Sequence, residues 1–423
     1  MSLPPPTGLQ WLYVDFNSYF ASVEQQLDPR LRGKPVAVVP VETDSTCAIA
    51  ASYEAKAFGI RTGTMIYEAK RKCPGLICVL AQHQRYVEFH DSILKEIDRH
   101  IPVEKVCSID EMACRLMKNE TAPERAMAIA RSIKAGLAKN VGDYIRCSIG
   151  VSSNRYIAKV ATDLQKPDGL TVVLPQDLPG RLLGLKLRDL PGIGPNMEKR
   201  LNRAGIYDVR KLYAFQPKHL RAIWGSLWGE KMWYLLRGYD LQEEETNRSS
   251  VGHSHVLAPD MRPPDMAWQI ARRLTLKAAA RLRRMEYCAG ALSLSVRIEN
   301  GPRYALETRC KPTQDSFSFL SLLEALWSEM AREFKGKRLK KVSVTLHALT
   351  PEKETQADLF DAARPAATAQ RGKCEKISAA MDTLNRKFGK DTVLLGLSPA
   401  QGKAFTGTKI AFTRIPDVEE FVE

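Results

Sequence analysis

Over its first 170 residues the chain alternates short apolar runs with segments of helical period, and this alternation most constrains its fold. Trp11-Leu12-Tyr13-Val14 is a strand, followed by a helical pattern from about Ser18. Pro35-Val36-Ala37-Val38-Val39 is a second strand. Tyr86, Phe89, Ile93 and Ile97 recur at helical spacing and predict an amphipathic helix with those residues on its buried stripe. Tyr144 to Val151 reads as a strand and Asn154 to Leu164 as a helix. The mixture predicts an α+β domain.

Different patterns follow. Leu187-Arg-Asp-Leu-Pro-Gly-Ile-Gly-Pro-Asn-Met-Glu-Lys-Arg-Leu has the form of a helix-hairpin-helix. Gly192 and Gly194 permit a tight turn, and amides at a helix N-terminus suit a phosphate. Lys199, Arg200 and Arg203 on the next helix favour that reading over a plain helical corner. Gln242 to Ser250 reads as a linker. Residues 247–350 carry 18 Lys and Arg against nine Asp and Glu. A solvated helix face explains Arg272 to Arg284 and explains less well the strand-like Lys340-Lys341-Val-Ser-Val-Thr-Leu, so a DNA-tracking surface is the better account. Residues 351 to about 372, rich in Pro, Ala, Thr, Glu and Gln, read as flexible. Beyond them come a helix over Ile377 to Phe388 and a strand at Thr392-Val-Leu-Leu.

At 423 residues, 44% hydrophobic and 26% charged, the composition excludes a wholly disordered or fibrous chain. The net charge of +15 favours a polyanionic partner, of which nucleic acid is the commonest. No run of apolar residues is long enough to span a bilayer, and the N-terminus has no basic region followed by an apolar one. The expectation is a cytoplasmic protein away from membranes. Nine cysteines include no Cys-x-x-Cys pair, which argues against a zinc ribbon. Cys107 and Cys147 lie in apolar runs and read as reduced core thiols.

Two acidic sites stand at the ends of apolar strands: Asp15, in Val14-Asp15-Phe16-Asn17-Ser18-Tyr19-Phe20, and Asp110-Glu111, after Cys107-Ser108-Ile109. Carboxylates from two strand ends can converge on magnesium, a hard cation that takes oxygen ligands. Two such ions about 3.5–4 Å apart stabilise the attacking and leaving oxygens of phosphoryl transfer. Neighbours on a regular strand point to opposite faces, so Asp110 and Glu111 share a site only at a strand end, turn or bulge. The spacing alone leaves open whether one of them is a surface acid.

The segments D-F-N-S-Y-F-A-S-V-E, A-S-Y-E-A-K-A-F-G-I, S-I-D-E and K-V-A-T-D-L-Q-K-P-D-G, in this order and spacing, resemble the Y-family DNA polymerases, the DinB/UmuC translesion group. The resemblance spans about residues 10 to 350. It implies a multidomain α+β fold: a right-hand core of palm (1–30 and 75–170), fingers (31–74) and helix-hairpin-helix thumb (171–241). A linker (242–247), an α/β little finger (248–350) and a tail (351–423) follow. It implies that Asp15, Asp110 and Glu111 bind two Mg2+ ions with the carbonyl of Phe16. Phe20 matches the aromatic steric gate that excludes a sugar 2′-hydroxyl. Tyr53, Lys56 and Lys166 match the side chains that hold the incoming triphosphate, as one hydroxyl and two cations can. Lys159 has no assigned role. Asn17 stands for an aspartate and Ala50 for a phosphate-contacting threonine of the DinB pattern, both as in the UmuC branch, whereas Tyr53 is DinB-like. Ile49 is bulkier than the small residue often found there.

Gln356-Ala357-Asp358-Leu359-Phe360 resembles the bacterial sliding-clamp binding motif, with Gln356 for polar contacts and Leu359 and Phe360 for an apolar cleft. The resemblance implies a monomeric, error-prone polymerase that acts on primer-template DNA and deoxynucleoside triphosphates without proofreading. Two other readings compete. A catalytically inactive scaffold of a mutagenesis complex would typically lack the three carboxylates. A DNA-binding protein of another class leaves the pairing of Asp15 with Ser108-Ile-Asp-Glu111 unexplained.

Overall fold

The computed structural model describes residues 6, 8–242, 248–355, 365–389, 392–393, 395–396 and 415–416. The chain divides into two compact units, whose main stretches are 1–244 and 245–407.

The first unit runs β1 (Trp11–Phe16), α1 (Tyr19–Leu27), β2 (Val36–Val39), β3 (Ala50–Ala51), α2 (Tyr53–Ala57), α3 (Ile66–Lys72), β4 (Ile77–Leu80), α4 (His83–Asp98) and β5 (Val103–Ser108). It continues through β6 (Glu111–Arg115), α5 (Pro123–Asn140), β7 (Cys147–Ser152), α6 (Arg155–Leu164) and β8 (Leu170–Val173) to the helices α7 (Pro195–Arg203), α8 (Val209–Ala214), α9 (Pro217–Trp224) and α10 (Leu227–Leu236). A five-stranded sheet has the order β5-β6-β1-β7-β8. Its middle strand, β1, is buried along its whole length, which is why it reads as a run and not as an alternation. The parallel step from β7 to β8 is bridged by α6, and Gly150 makes their packing possible. A Cβ there would stand 2.0 Å from the Ala158 carbonyl oxygen, so only glycine lets α6 lie this close to β7.

On α4, Tyr86, Ile93 and Ile97 are buried as expected, with Val87 and His90 beside them, while Phe89 is half-buried. The strand expected from Tyr144 begins at Cys147, because Ile145 closes a turn onto Gly142. Cys147 is a buried thiol, pushed up to about 12 by desolvation, whereas Cys107 is half-buried.

A separate three-stranded sheet, β3-β2-β4, holds its own small core of Ala37, Val39, Ala55, Ile60 and Ile66. β4 pairs in parallel with β2, so the boundary expected between residues 74 and 75 separates strands of one sheet. The boundary expected at 170 likewise falls inside the five-stranded sheet, because β8 runs to Val173. Helices α7–α10 enclose Leu201, Leu212, Leu220, Met232 and Leu236, packed with Ile157 and Val160 of α6.

The second unit contains β9 (Ser250–Val256), α11 (Pro264–Arg284), β10 (Tyr287–Ile298), β11 (Arg303–Thr313), α12 (Ser316–Phe334), β12 (Leu339–Pro351) and α13 (Pro365–Phe388). Its antiparallel sheet has the order β11-β10-β12-β9. Leu292, Leu294 and Val296 of β10 and Val342, Val344 and Leu346 of β12 share a core with Leu274 and Leu282 of α11 and Phe319 and Leu323 of α12. Period-two alternation turns the intervening residues to the opposite face.

Two expectations about the tail change. The segment read as flexible contains the start of α13, which begins at Pro365. Thr392 and Val393 lie in a bend and not a strand. α13 is tied down where Arg283 Nε and Nη2 donate to the Asp382 carboxylate at 2.6 and 2.9 Å, and where the Ser316 N–H donates to Ser378 Oγ at 3.1 Å. Gln356, Leu359 and Phe360 lie outside the described residues, as do residues 243–247 of the expected linker. No helix among the described residues is long and apolar enough to cross a membrane.

Candidate active site

The register of the five-stranded sheet builds the site. Asp15 sits directly across from Glu111 on β6 and from Ser148 on β7. Asp110 occupies the turn between β5 and β6, and its carbonyl accepts the Phe16 N–H at 2.9 Å. The turn removes the obstacle that strand alternation posed for neighbouring acids. Burial raises Asp110 above the usual carboxylate range, and the charges of Glu111 and Asp15 add to that shift against the Ser108 hydroxyl. Ser108 Oγ donates to Asp110 Oδ1 at 2.5 Å, and Tyr13 Oη donates to Glu111 Oε2 at 3.0 Å.

Lysines thread between these acids. Lys159, on α6, contacts Asp15 Oδ2 and lies 2.7 Å from Glu111 Oε1. Lys166 lies 2.7 Å from Asp15 Oδ1 and 2.8 Å from Asp163 Oδ1. Burial lowers Lys159, but Asp15, Glu111 and Asp163 outweigh it and hold the ammonium above its ordinary range. Burial and the charge of Lys159 lower Lys166, but Asp15 and Asp163 outweigh them and raise it. Among the described residues no three acidic, His or Cys side chains are drawn into one coordination cluster. The donor set nevertheless fits a hard divalent cation: two carboxylates facing each other on adjoining strands and a third in the turn beside them, raised by burial and by its neighbours' charge.

On α2, the Lys56 ammonium lies 4.4 Å from the centre of the Tyr53 ring. Burial lowers Lys56, and the charge of Lys166 lowers it further. Burial also raises the Tyr53 phenol. Phe20 follows Asp15 by one tight turn, in which Ser18 takes a left-handed φ of 51°. Its half-buried ring stacks on Tyr86 at 4.4 Å and 15°. The expected residues Asp15, Asp110, Glu111 and Lys166 thus gather at one end of the sheet.

Sequence reasoning left two residues here without a role. Lys159 had no assigned role, because its partners lie as far as 144 positions away. The only signal was its place on a helix just after a strand. Asn17 is buried, donates to Ser148 Oγ at 3.1 Å and accepts the Asp168 N–H at 2.7 Å. The accepted bond ties the β1–α1 turn to the loop carrying Lys166, and the amide donation, which an ionised aspartate could not make, ties it to β7.

The hairpin before α7 has Gly192 at φ +86° and Gly194 as the helix cap, with no side-chain bond to the first amides. Lys199 and Arg203 are exposed. Arg200 is partly diverted, because its Nη1 donates to the Trp224 carbonyl at 2.9 Å and caps α9. On the second unit's sheet, the face away from α11 and α12 carries Arg303, Arg297 and Lys341 across three strands. Beside them runs a row of small residues, Ala305, Ser295, Ser343 and Ser254.

The chain is similar to known proteins in sequence and in fold. Residues 14–163 match the impB/mucB/samB family, residues 248–359 match that family's C-terminal domain, and residues 188–240 match the DNA polymerase-iota thumb domain. DNA polymerase IV of Moorella thermoacetica is 32% identical over 393 residues, covering 90% of this chain and 94% of that protein. DNA polymerase IV 1 of Bacillus subtilis is 28% identical over 392 residues, covering 91% and 92%. Among solved structures, a Y-family DNA polymerase chimera of Dbh and Dpo4 shares the fold with a TM-score of 0.69 at 24% identity, over 80% of this chain and 99% of that one. The insertion ternary complex of Dbh DNA polymerase matches with a TM-score of 0.54 at 25% identity, over 80% and 98%. On these family matches and on relatives that are 32% identical over most of their length, the chain belongs to the Y-family DNA polymerases, in the DinB-like group of translesion enzymes.

Proposed function

We propose that this metal-dependent polymerase extends primers at the end of β1 and β6, with Asp15, Asp110, Glu111 and the Phe16 carbonyl as ligands for two Mg2+ ions. The observation that carries the reading is the direct register of Asp15 with Glu111 beside the Asp110 turn. Bound magnesium would supply Lewis-acid stabilisation of the attacking and leaving oxygens. The chain's own residues bind and orient the substrate. Lys56, Tyr53 and Lys166 hold the triphosphate of a deoxynucleotide, where cations give charge-assisted hydrogen bonds to phosphate oxygens. The Phe20 ring packs under the sugar and leaves no space for a 2′-hydroxyl. Pyrophosphate is released as the primer 3′-oxygen bonds to the α-phosphorus.

The palm in this reading comprises the five-stranded sheet, the fingers the three-stranded sheet, the thumb α7–α10 and the little finger the second unit. The Gly192 hairpin and the basic outer face of β10–β12 grip primer-template DNA through phosphates. Gln356, Leu359 and Phe360 bind a sliding clamp. The enzyme works as a cytoplasmic monomer and has no proofreading activity.

Single-nucleotide primer extension with Mg2+ tests the site. Extension by the wild type and none by Asp110→Ala/Glu111→Ala, with DNA binding retained, is the expected result. Undiminished extension by the double variant would overturn it. Leu359→Ala/Phe360→Ala should abolish clamp binding in a titration without altering clamp-free extension.

A further inference from the structure

Three residues within two turns of α1 grip one buried tyrosine of α4. Tyr19 Oη donates to the Tyr86 carbonyl at 2.6 Å. The Phe20 ring stacks on the Tyr86 ring. Glu24, one turn further and 2% exposed, accepts the Tyr86 hydroxyl at Oε1, 2.6 Å away. Its second oxygen, Oε2, accepts Gln82 Nε2 at 2.8 Å, and the Gln82 N–H donates to Tyr86 Oη at 3.1 Å. Backbone, ring face and hydroxyl of Tyr86 are all fixed from the helix that carries Phe20.

We infer that Glu24 is a positioning residue for sugar selectivity: its carboxylate locks Tyr86, and Tyr86 is the wall that stops Phe20 from yielding to a 2′-hydroxyl. A ring excludes an extra oxygen only if it cannot move aside. A stacked neighbour at 4.4 Å resists such movement only if it is itself held. Buried hydrogen bonds to a charged group are among the stronger restraints a side chain can have. Nothing else requires an acid here, since Glu24 contacts neither the catalytic carboxylates nor the lysines among its described hydrogen bonds. This inference rests on the reading of Phe20 as the sugar gate.

The test compares kcat/KM for one deoxynucleotide and its ribonucleotide in primer extension, with a thermal melt for each variant. Glu24→Gln places an amide where Oε2 accepted from Gln82, and Tyr86→Phe removes the hydroxyl but keeps the stack. Each should lower deoxy-over-ribo selectivity by about tenfold, the size of one charge-assisted hydrogen bond. The rise in ribonucleotide kcat/KM should exceed any loss for the deoxynucleotide. The double variant should lose no more than either alone, because both act through one contact. Gln82→Glu added to Glu24→Gln restores a donor–acceptor pair and should recover selectivity, which a general loss of packing would not. Wild-type selectivity in folded Glu24→Gln and Tyr86→Phe, while Phe20→Leu admits ribonucleotides, would overturn the inference and leave the gate standing. If Phe20→Leu still excludes ribonucleotides, the gate reading fails and the inference with it. Should Glu24→Gln not fold, Tyr86→Phe alone decides the matter by the same two outcomes.

Discussion

The end of the five-stranded sheet and the outer face of the four-stranded sheet both concentrate charge, but they handle it oppositely. At the first, a few acids and lysines are packed against one another: Asp15 is 4% exposed, and Lys159 lies between it and Glu111. At the second, Arg297, Arg303 and Lys341 stand on a surface beside serines and alanine. In the first, burial and the neighbouring charges shift Asp110, Lys159 and Lys166, so the place of each charge matters. In the second, water and salt screen each charge, and the number of cations matters more than the place of any one.

The comparison breaks most sharply on the carboxylates. Asp110→Ala/Glu111→Ala should lower extension by about a thousandfold or more, the scale of losing positioned electrostatic stabilisation, while DNA affinity changes less than about twofold. Arg297→Ala/Lys341→Ala should do the reverse. The slope of log affinity against log salt should become shallower by about 0.9 for each phosphate contact removed, and kcat at saturating DNA should stay close to wild type. A filter-binding titration at several salt concentrations measures this.

A third effect is smaller and concerns stability. Burial raises the folded-state pKa of Asp110, so its ionised form at neutral pH weakens the fold. The protonated form is favoured in the folded chain, and that advantage is lost as pH rises through the raised value. Asp110→Asn should therefore raise the melting temperature at pH 7 by about 2–4 °C while abolishing activity. The gain should vanish as pH falls below about 4, the ordinary aspartate value. Smallest is a drift in nucleotide KM. Burial and Lys166 hold Lys56 below the usual lysine range, so rising pH should strip its proton early and raise KM. Lys56→Arg, which stays charged, should flatten that rise.

The local parts of the fold were readable because they rest on local chemistry. The β1–α1 unit, the α4 stripe and the Asn154-capped α6 each announce themselves by period or by a cap. Pairing between distant strands was not readable. β4 spans four residues and gives no sign in itself that it joins β2 and not the larger sheet. The start of α13 was misread because Pro and Thr suggested a loop. Proline is tolerated in the first helical turn, and Ala366 and Ala367 favour helix. At the site, family motifs supplied the carboxylates and Lys166, but the bridging place of Lys159 needed three dimensions.

The sheet order carries a consequence for how the enzyme is made. β1 is synthesised first, yet both of its partners come much later: β6 ends at Arg115 and β7 at Ser152. At about 5–20 residues per second, a ribosome needs roughly 7–27 s to travel from the end of β1 to the end of β7. Until β6 has been made, Asp15 has no neighbouring strand to hold it, and until β7 has been made it has a partner on one side only. The strands that bring Asp15, Asp110 and Glu111 together are therefore assembled only after most of the five-stranded sheet has been made.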